Sequence, residues 1–127
     1  MASVLITDDE ESILEFFENT LSEVGFDVYT ARDGQEALEM MVSLQPDLML
    51  VDLMMPRLGG VGLIKAVRKE DQNIPILVIT GANDDALEQE AKDHGANACL
   101  PKPLEFSLLE AEILRLVGNN IDTDHEL

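Results

Sequence analysis

The sequence predicts an α/β domain, a parallel sheet with helices on both of its faces. Two observations carry this. Short aliphatic runs without polar alternation recur along the chain, as in strands covered on both sides. Between them lie longer stretches with apolar residues at helical spacing, and the two kinds alternate strictly, five of each. The size agrees: 127 residues, 46% hydrophobic, suit one domain with a substantial core, which rules out a wholly disordered chain.

Val4-Leu5-Ile6 is the first strand. Residues 10–24 follow as a helix with Ile13, Phe17, Leu21 and Val24 on one stripe, and Gly25 stops it. Val28-Tyr29-Thr30 is a weaker second strand. Asp33-Gly34-Gln35-Glu36 resembles a capping box and opens a helix with Ala37, Leu38, Met41 and Leu44, which ends before Pro46. Leu48-Met49-Leu50-Val51 is the third strand. Val61, Leu63, Ile64 and Val67 mark a third helix, with Lys65, Arg68 and Lys69 on its solvated side. Ile76-Leu77-Val78-Ile79 is the fourth strand, and Asn83-Asp84-Asp85 caps a fourth helix with Leu87 and Ala91 inside. Ala98-Cys99-Leu100 is the fifth strand. Residues 104–117 form the fifth helix around Leu108, Leu109, Ile113, Leu116 and Val117. The polar, acidic end reads as a flexible tail or the start of a linker, so the expected division is a domain over 1–118 and a tail over 119–127.

The charge balance narrows the partners. Twenty-six acidic residues against 8 basic ones give a net charge of −18. Such a surface repels phosphate backbones and anionic membranes, so neither nucleic acid nor membrane is an expected direct partner. Cations and basic protein surfaces are. With Cys99 as the single cysteine no internal disulfide can form, and a cytoplasmic location is the simplest expectation. The first residues lack the features of a signal peptide, and apolar runs stop at four or five residues, far short of the roughly 20 a membrane helix needs.

Ligands of open α/β sheets gather at the carboxyl ends of the strands. Asp8 and Asp9 follow the first strand, Asp52 the third, Thr80 the fourth and Lys102 the fifth. Clustered carboxylates repel unless a cation relieves them. All-oxygen ligation suits Mg²⁺, or Mn²⁺ in its place, and a lysine and a threonine beside such a site suit phosphoryl oxygens. A carboxylate can itself accept a phosphoryl group as an acyl phosphate.

Over residues 3 to about 117 the chain resembles the receiver domains of two-component response regulators. The matching motifs are Ile6-Thr7-Asp8-Asp9-Glu10, Val51-Asp52-Leu53-Met54-Met55-Pro56, Thr80-Gly81-Ala82 and Pro101-Lys102-Pro103, in order and at the family's usual separations. The resemblance implies a flavodoxin-like three-layer sandwich with strand order 2-1-3-4-5. It implies that Asp52 is the phosphoacceptor, taking its phosphoryl group from a phosphohistidine on a histidine kinase or phosphotransfer protein. It implies metal ligation by Asp9, Asp52 and the backbone carbonyl of Met54, with Asp8 acting mainly through metal-bound water. Lys102 would pair with Asp52 at rest and with the phosphoryl oxygens afterwards, aimed by a cis Lys102–Pro103 bond. Thr80 would swing toward the phosphoryl group and switch the surface of the fourth helix, fifth strand and fifth helix. Kinase docking in the family matches Ser12, Ile13, Phe16 and the Pro103-Leu104 turn. Phe16 lies off the apolar stripe, so either exposure for a partner or helix packing suits it.

One position departs from the family pattern. An aromatic residue often stands three positions before the lysine, and here it is Cys99, which cannot act as a rotating ring. The expected function is that of a signalling module in two-component transduction or a phosphorelay, catalysing only its own phosphoryl transfer and its own dephosphorylation. Its downstream target or output domain is left open, as is pairing with a second copy. A haloacid-dehalogenase-type phosphatase would need a second acid two residues after the nucleophile, where this chain has Met54. A degenerate scaffold would not need the intact Asp8, Asp9, Asp52, Thr80 and Lys102.

Overall fold

A computed structural model describes residues 2–55, 58–81, 85–103 and 105–118. Ten elements alternate: β1 (Ser3–Thr7), α1 (Glu11–Glu23), β2 (Asp27–Ala31), α2 (Gly34–Leu44), β3 (Leu48–Asp52), α3 (Gly60–Glu70), β4 (Ile76–Thr80), α4 (Asp85–Asp93), β5 (Ala98–Pro101) and α5 (Phe106–Val117). All strand pairs are parallel and the order is β2-β1-β3-β4-β5. Both the α/β class and the strand order implied by the resemblance are therefore observed.

Strand alternation divides the core into two layers. On one face Val4, Ile6, Leu48 and Leu50 pack against Leu14, Phe17 and Leu21 of α1 and Leu109, Ile113 and Val117 of α5. On the other, Leu5, Met49 and Val51 pack against Ala37 and Met41 of α2, Leu63, Ile64 and Val67 of α3, and Ala91 of α4. β3 and β4, in the middle of the order, are buried throughout, while β2 at the edge is mostly open, in keeping with its weaker aliphatic run.

Local signals placed the helix ends well. The Asp33 side chain accepts from the Glu36 N–H at 2.9 Å, and the Glu36 carboxylate reaches back to the Arg32 N–H at 2.7 Å, one residue before the cap itself. Gly25, with φ of 103°, lets the chain leave α1, a conformation that favours glycine. Gln45 closes α2 in the left-handed region at φ 50°, directly before Pro46.

The apolar stripes were less accurate. In α1, Leu14 joins Phe17 and Leu21 in the core, whereas Val24 is the C-cap and is 40% exposed. Leu44 and Leu108 fall on open faces of α2 and α5. Arg68 is not a solvated charge: its guanidinium donates to the Gly95 carbonyl at 2.7 and 3.2 Å and to Asn97 Oδ1 at 3.1 Å, tying α3 to the turn before β5. Partial burial pulls its pKa down, against the raising influence of Asp71. The Pro56, Ala82, Asn83, Asp84 and Leu104 positions and the 119–127 segment lie outside the described residues. No described helix is long and apolar enough to cross a membrane.

Candidate functional site

The strand order reverses direction between β1 and β3, since β2 lies on one side of β1 and the rest of the sheet on the other. That crevice is where this kind of sheet admits ligands. β1 delivers Asp8 and Asp9 to it, and β3 ends in Asp52 beside them. Each of these three offers a carboxylate oxygen, all within 4.8 Å of one another. Asp8 and Asp52 are only 3% and 5% exposed, while Asp9 faces water.

Turns of the backbone hold the two buried carboxylates. Asp8 Oδ1 accepts the Glu10 N–H at 3.0 Å, and Asp52 Oδ1 accepts the Met54 N–H at 3.1 Å. Their other oxygens meet one ammonium: Lys102 Nζ donates to Asp8 Oδ2 at 3.1 Å and to Asp52 Oδ2 at 3.0 Å. Burial alone would lower the Lys102 pKa. Its hydrogen bonds to Asp52 and Asp8 outweigh that and raise it above the ordinary 10.5. The lysine reaches in from a turn containing the expected cis Lys102–Pro103 bond, and its N–H donates to the Thr80 carbonyl at 2.9 Å. Thr80 is buried at the end of β4, paired in register with Pro101.

The structure thus brings together Asp8, Asp9, Asp52 and Lys102, with Thr80 at the neighbouring strand end. Three clustered carboxylates, two of them paired with one ammonium, carry an excess of negative charge when ionised, in a place where two of them are removed from water. Hard oxygen donors around such an excess fit Mg²⁺.

Two glycines allow close backbone approach, and the one at Gly60, which the sequence reading did not single out, lies directly against Asp52. A Cβ at Gly60, the start of α3, would sit 2.5 Å from the Leu53 Cα and 2.8 Å from the Asp52 carbonyl oxygen. A Cβ at Gly34 would overlap the Leu58 carbonyl. The Gly59-Gly60 pair soon after Asp52 was the available signal, since glycine after a strand often marks close backbone approach.

Beside the site, Ile13, Phe16, Phe17, Gly81, Lys102 and Pro103 line an open cavity of about 470 Å³. Phe16 is 49% exposed and stands edge-on to Phe17, with ring centroids 5.6 Å apart, so its ring is open to solvent on one side and packed within its own helix on the other. Of the residues matched to the family's docking region, Ile13, Phe16 and Pro103 border this cavity. Ser12 is exposed on α1, and Leu104 lies outside the described residues. Cys99 is half-buried on the opposite face with Leu87 and Ala96. Burial pushes its thiol pKa up, Lys92 pulls it down and Glu88 adds to the rise.

Known proteins resemble this chain in sequence and in fold. The profile of the response regulator receiver domain family matches residues 4–114. A probable transcriptional regulator, ycf27, of Guillardia theta is 41% identical over 110 residues, covering 87% of this chain and 43% of that protein. The response regulator MprA of Mycobacterium ulcerans is 40% identical over 124 residues, 97% of this chain and 53% of that one. The chain therefore spans about half the length of the curated relatives it matches. Among solved structures, the chemotaxis protein CheY4 of Vibrio cholerae superposes with a TM-score of 0.87 at 36% identity, covering 91% of this chain and 98% of that one. The receiver domain of the Francisella response regulator 1452 gives 0.87 at 29% identity, covering 94% and 99%.

Proposed function

The chain belongs to the response regulator receiver family, and from that premise we propose that Asp52 accepts a phosphoryl group from a phosphohistidine. Response regulators are signalling proteins that partner with histidine kinases and output domains, and receivers normally use Mg²⁺. The observation that carries the reading is the contact of Lys102 Nζ with both Asp52 and Asp8, beside Asp9.

In the transfer, an Asp52 carboxylate oxygen forms a bond to phosphorus as the bond from phosphorus to the donor imidazole nitrogen breaks. The imidazole leaves with that electron pair. Lys102, already at Asp52 Oδ2, exchanges a carboxylate oxygen for a phosphoryl oxygen and so stays paired as charge moves outward. Asp8, Asp9, Asp52 and the Met54 carbonyl would hold Mg²⁺ or Mn²⁺, which when bound offsets the negative charge of the carboxylates and the phosphoryl group. The Thr80 hydroxyl, one strand away, moves toward the new phosphoryl oxygens and draws the following loop with it. With Cys99 in place of an aromatic ring, either the switch runs through displacement of that loop or the output surface differs from the family's. The cavity bordered by Ile13, Phe16 and Pro103 receives the histidine-bearing partner.

Intact-mass spectrometry after incubation with acetyl phosphate and Mg²⁺ tests the acceptor. The wild-type chain gains one acid- and base-labile phosphoryl group, and Asp52→Asn gains none. An unmodified wild type, or an equally modified variant, would overturn the assignment.

A further inference from the structure

Helix α2 is apolar over more of its circumference than the core covers. Ala37 and Met41 are buried, Leu38 and Met40 are half-buried, and Val42 and Leu44 are 50% and 39% exposed. An apolar strip of α2 is thus left in water on an otherwise acidic chain.

They also have a shape. Leu38, Glu39, Val42 and Glu70 line an open cavity of about 440 Å³ between α2 and the end of α3. A smaller one of about 180 Å³ is lined by Met41, Val42, Gln45, Glu70 and Asp71. Val42 and Glu70 belong to both, so the two are one groove along the α2–α3 seam. Its base is aliphatic and its rim carries Glu39, Glu70 and Asp71; among the described residues that line it none is basic, and a nearby cation, Arg68, is held by the Asp71 carbonyl at 3.1 Å and by Gly95 and Asn97. It lies across the sheet from the cavity at Phe16 and Pro103, since α2 and α3 pack on the face opposite α1.

We propose that this groove docks a basic amphipathic helix of a partner protein. Apolar side chains at i, i+3 and i+4 of that helix would seat on Leu38 and Val42, and flanking lysines or arginines would meet Glu39, Glu70 and Asp71. Charge decides against a second copy of this chain. A two-fold pairing would lay one acidic rim on another, between molecules that each carry −18. Because the groove faces away from the phosphoacceptor cavity, the partner and a phosphoryl donor can be bound together.

The test uses the whole chain, ¹⁵N-labelled, and a capped Leu/Lys peptide of about 14 residues, roughly four helical turns, with its leucines on one face. A peptide of the same composition with its leucines scattered is the control. Fluorescence anisotropy at about 150 mM salt, where long-range attraction is screened, reads affinity. The amphipathic peptide binds at least about tenfold more tightly than the control, and Val42→Glu removes about tenfold of that affinity. Amide shifts concentrate at 38–45 and 67–71. Glu70→Lys weakens binding as well, and Val42→Glu still accepts a phosphoryl group from acetyl phosphate. Equal binding of the two peptides, or indifference to Val42→Glu, would reduce the effect to diffuse attraction and overturn the proposal. Shifts centred on Ile13 and Phe16, or a dimer in sedimentation velocity that Val42→Glu dissolves, would overturn it too.

Discussion

The two ends of the sheet use similar side chains to opposite effect. At the amino end, acids and amides are spent on closure. The Ser3 N–H donates to Asp47 Oδ2 at 2.8 Å and the Asp47 N–H returns a bond to Ser3 Oγ at 3.2 Å. The Ile76 N–H donates to Asn97 Oδ1 at 2.8 Å, and Arg68 secures Asn97 and Gly95 from α3. At the carboxyl end, three carboxylates cluster and two of them, Asp8 and Asp52, hold one ammonium. Bonds at the first end join strand starts to the loops before their neighbours. Those at the second hold buried charge together beside an open cavity. The difference separates residues that keep the fold from residues that use it.

The comparison can be broken most directly at Lys102. Lys102→Ala should slow phosphoryl incorporation on the order of a hundredfold in a timed mass measurement, because the charge-stabilising donor is gone. An unaltered rate would show that the carboxyl end needs no ammonium. Arg68→Ala should do the reverse. Losing charged hydrogen bonds to Gly95 and Asn97 should cost about 2 kcal/mol in urea unfolding while labelling of Asp52 persists. If labelling fell in step with stability in the folded protein, the two ends would not be separable. Asp47→Ala, which frees the Ser3 N–H, should cost only about 1 kcal/mol by the same measurement.

The smallest effect concerns Cys99, between the two ends on β5. Its thiol pKa lies above the ordinary 9.0, mainly through burial, so less thiolate exists at any pH below that value. Iodoacetamide should modify it more slowly at pH 8 than an unstructured cysteine peptide, and the midpoint of its rate–pH profile should lie above 9.0. A rate matching the peptide would show an open, unperturbed thiol.

The candidate site was more legible than the helix surfaces. Asp8, Asp9, Asp52, Thr80 and Lys102 could be placed because each follows an aliphatic run, and parallel strands deliver whatever follows them to one edge. The Asp33 cap was readable because its partner, Glu36, lies three residues away. Leu108, Leu44 and Val24 were misplaced because helical spacing defines a stripe but does not say how wide a stripe the neighbouring elements cover. Arg68 was taken for a solvated charge because its acceptors lie 27 and 29 residues on.

The sequence by itself determined the order of elements, the α/β class and the identity of the groups at the strand ends. Those follow from local periodicity, from capping and from the chirality of parallel connections. Only the tertiary structure decided that Lys102 spans Asp8 and Asp52, that Gly34 and Gly60 must lack a side chain, and that Val42 and Phe16 stay open on opposite faces. These depend on contacts between elements distant in the chain. A residue's pattern states its preference for burial, and only the packed neighbours determine whether it is met.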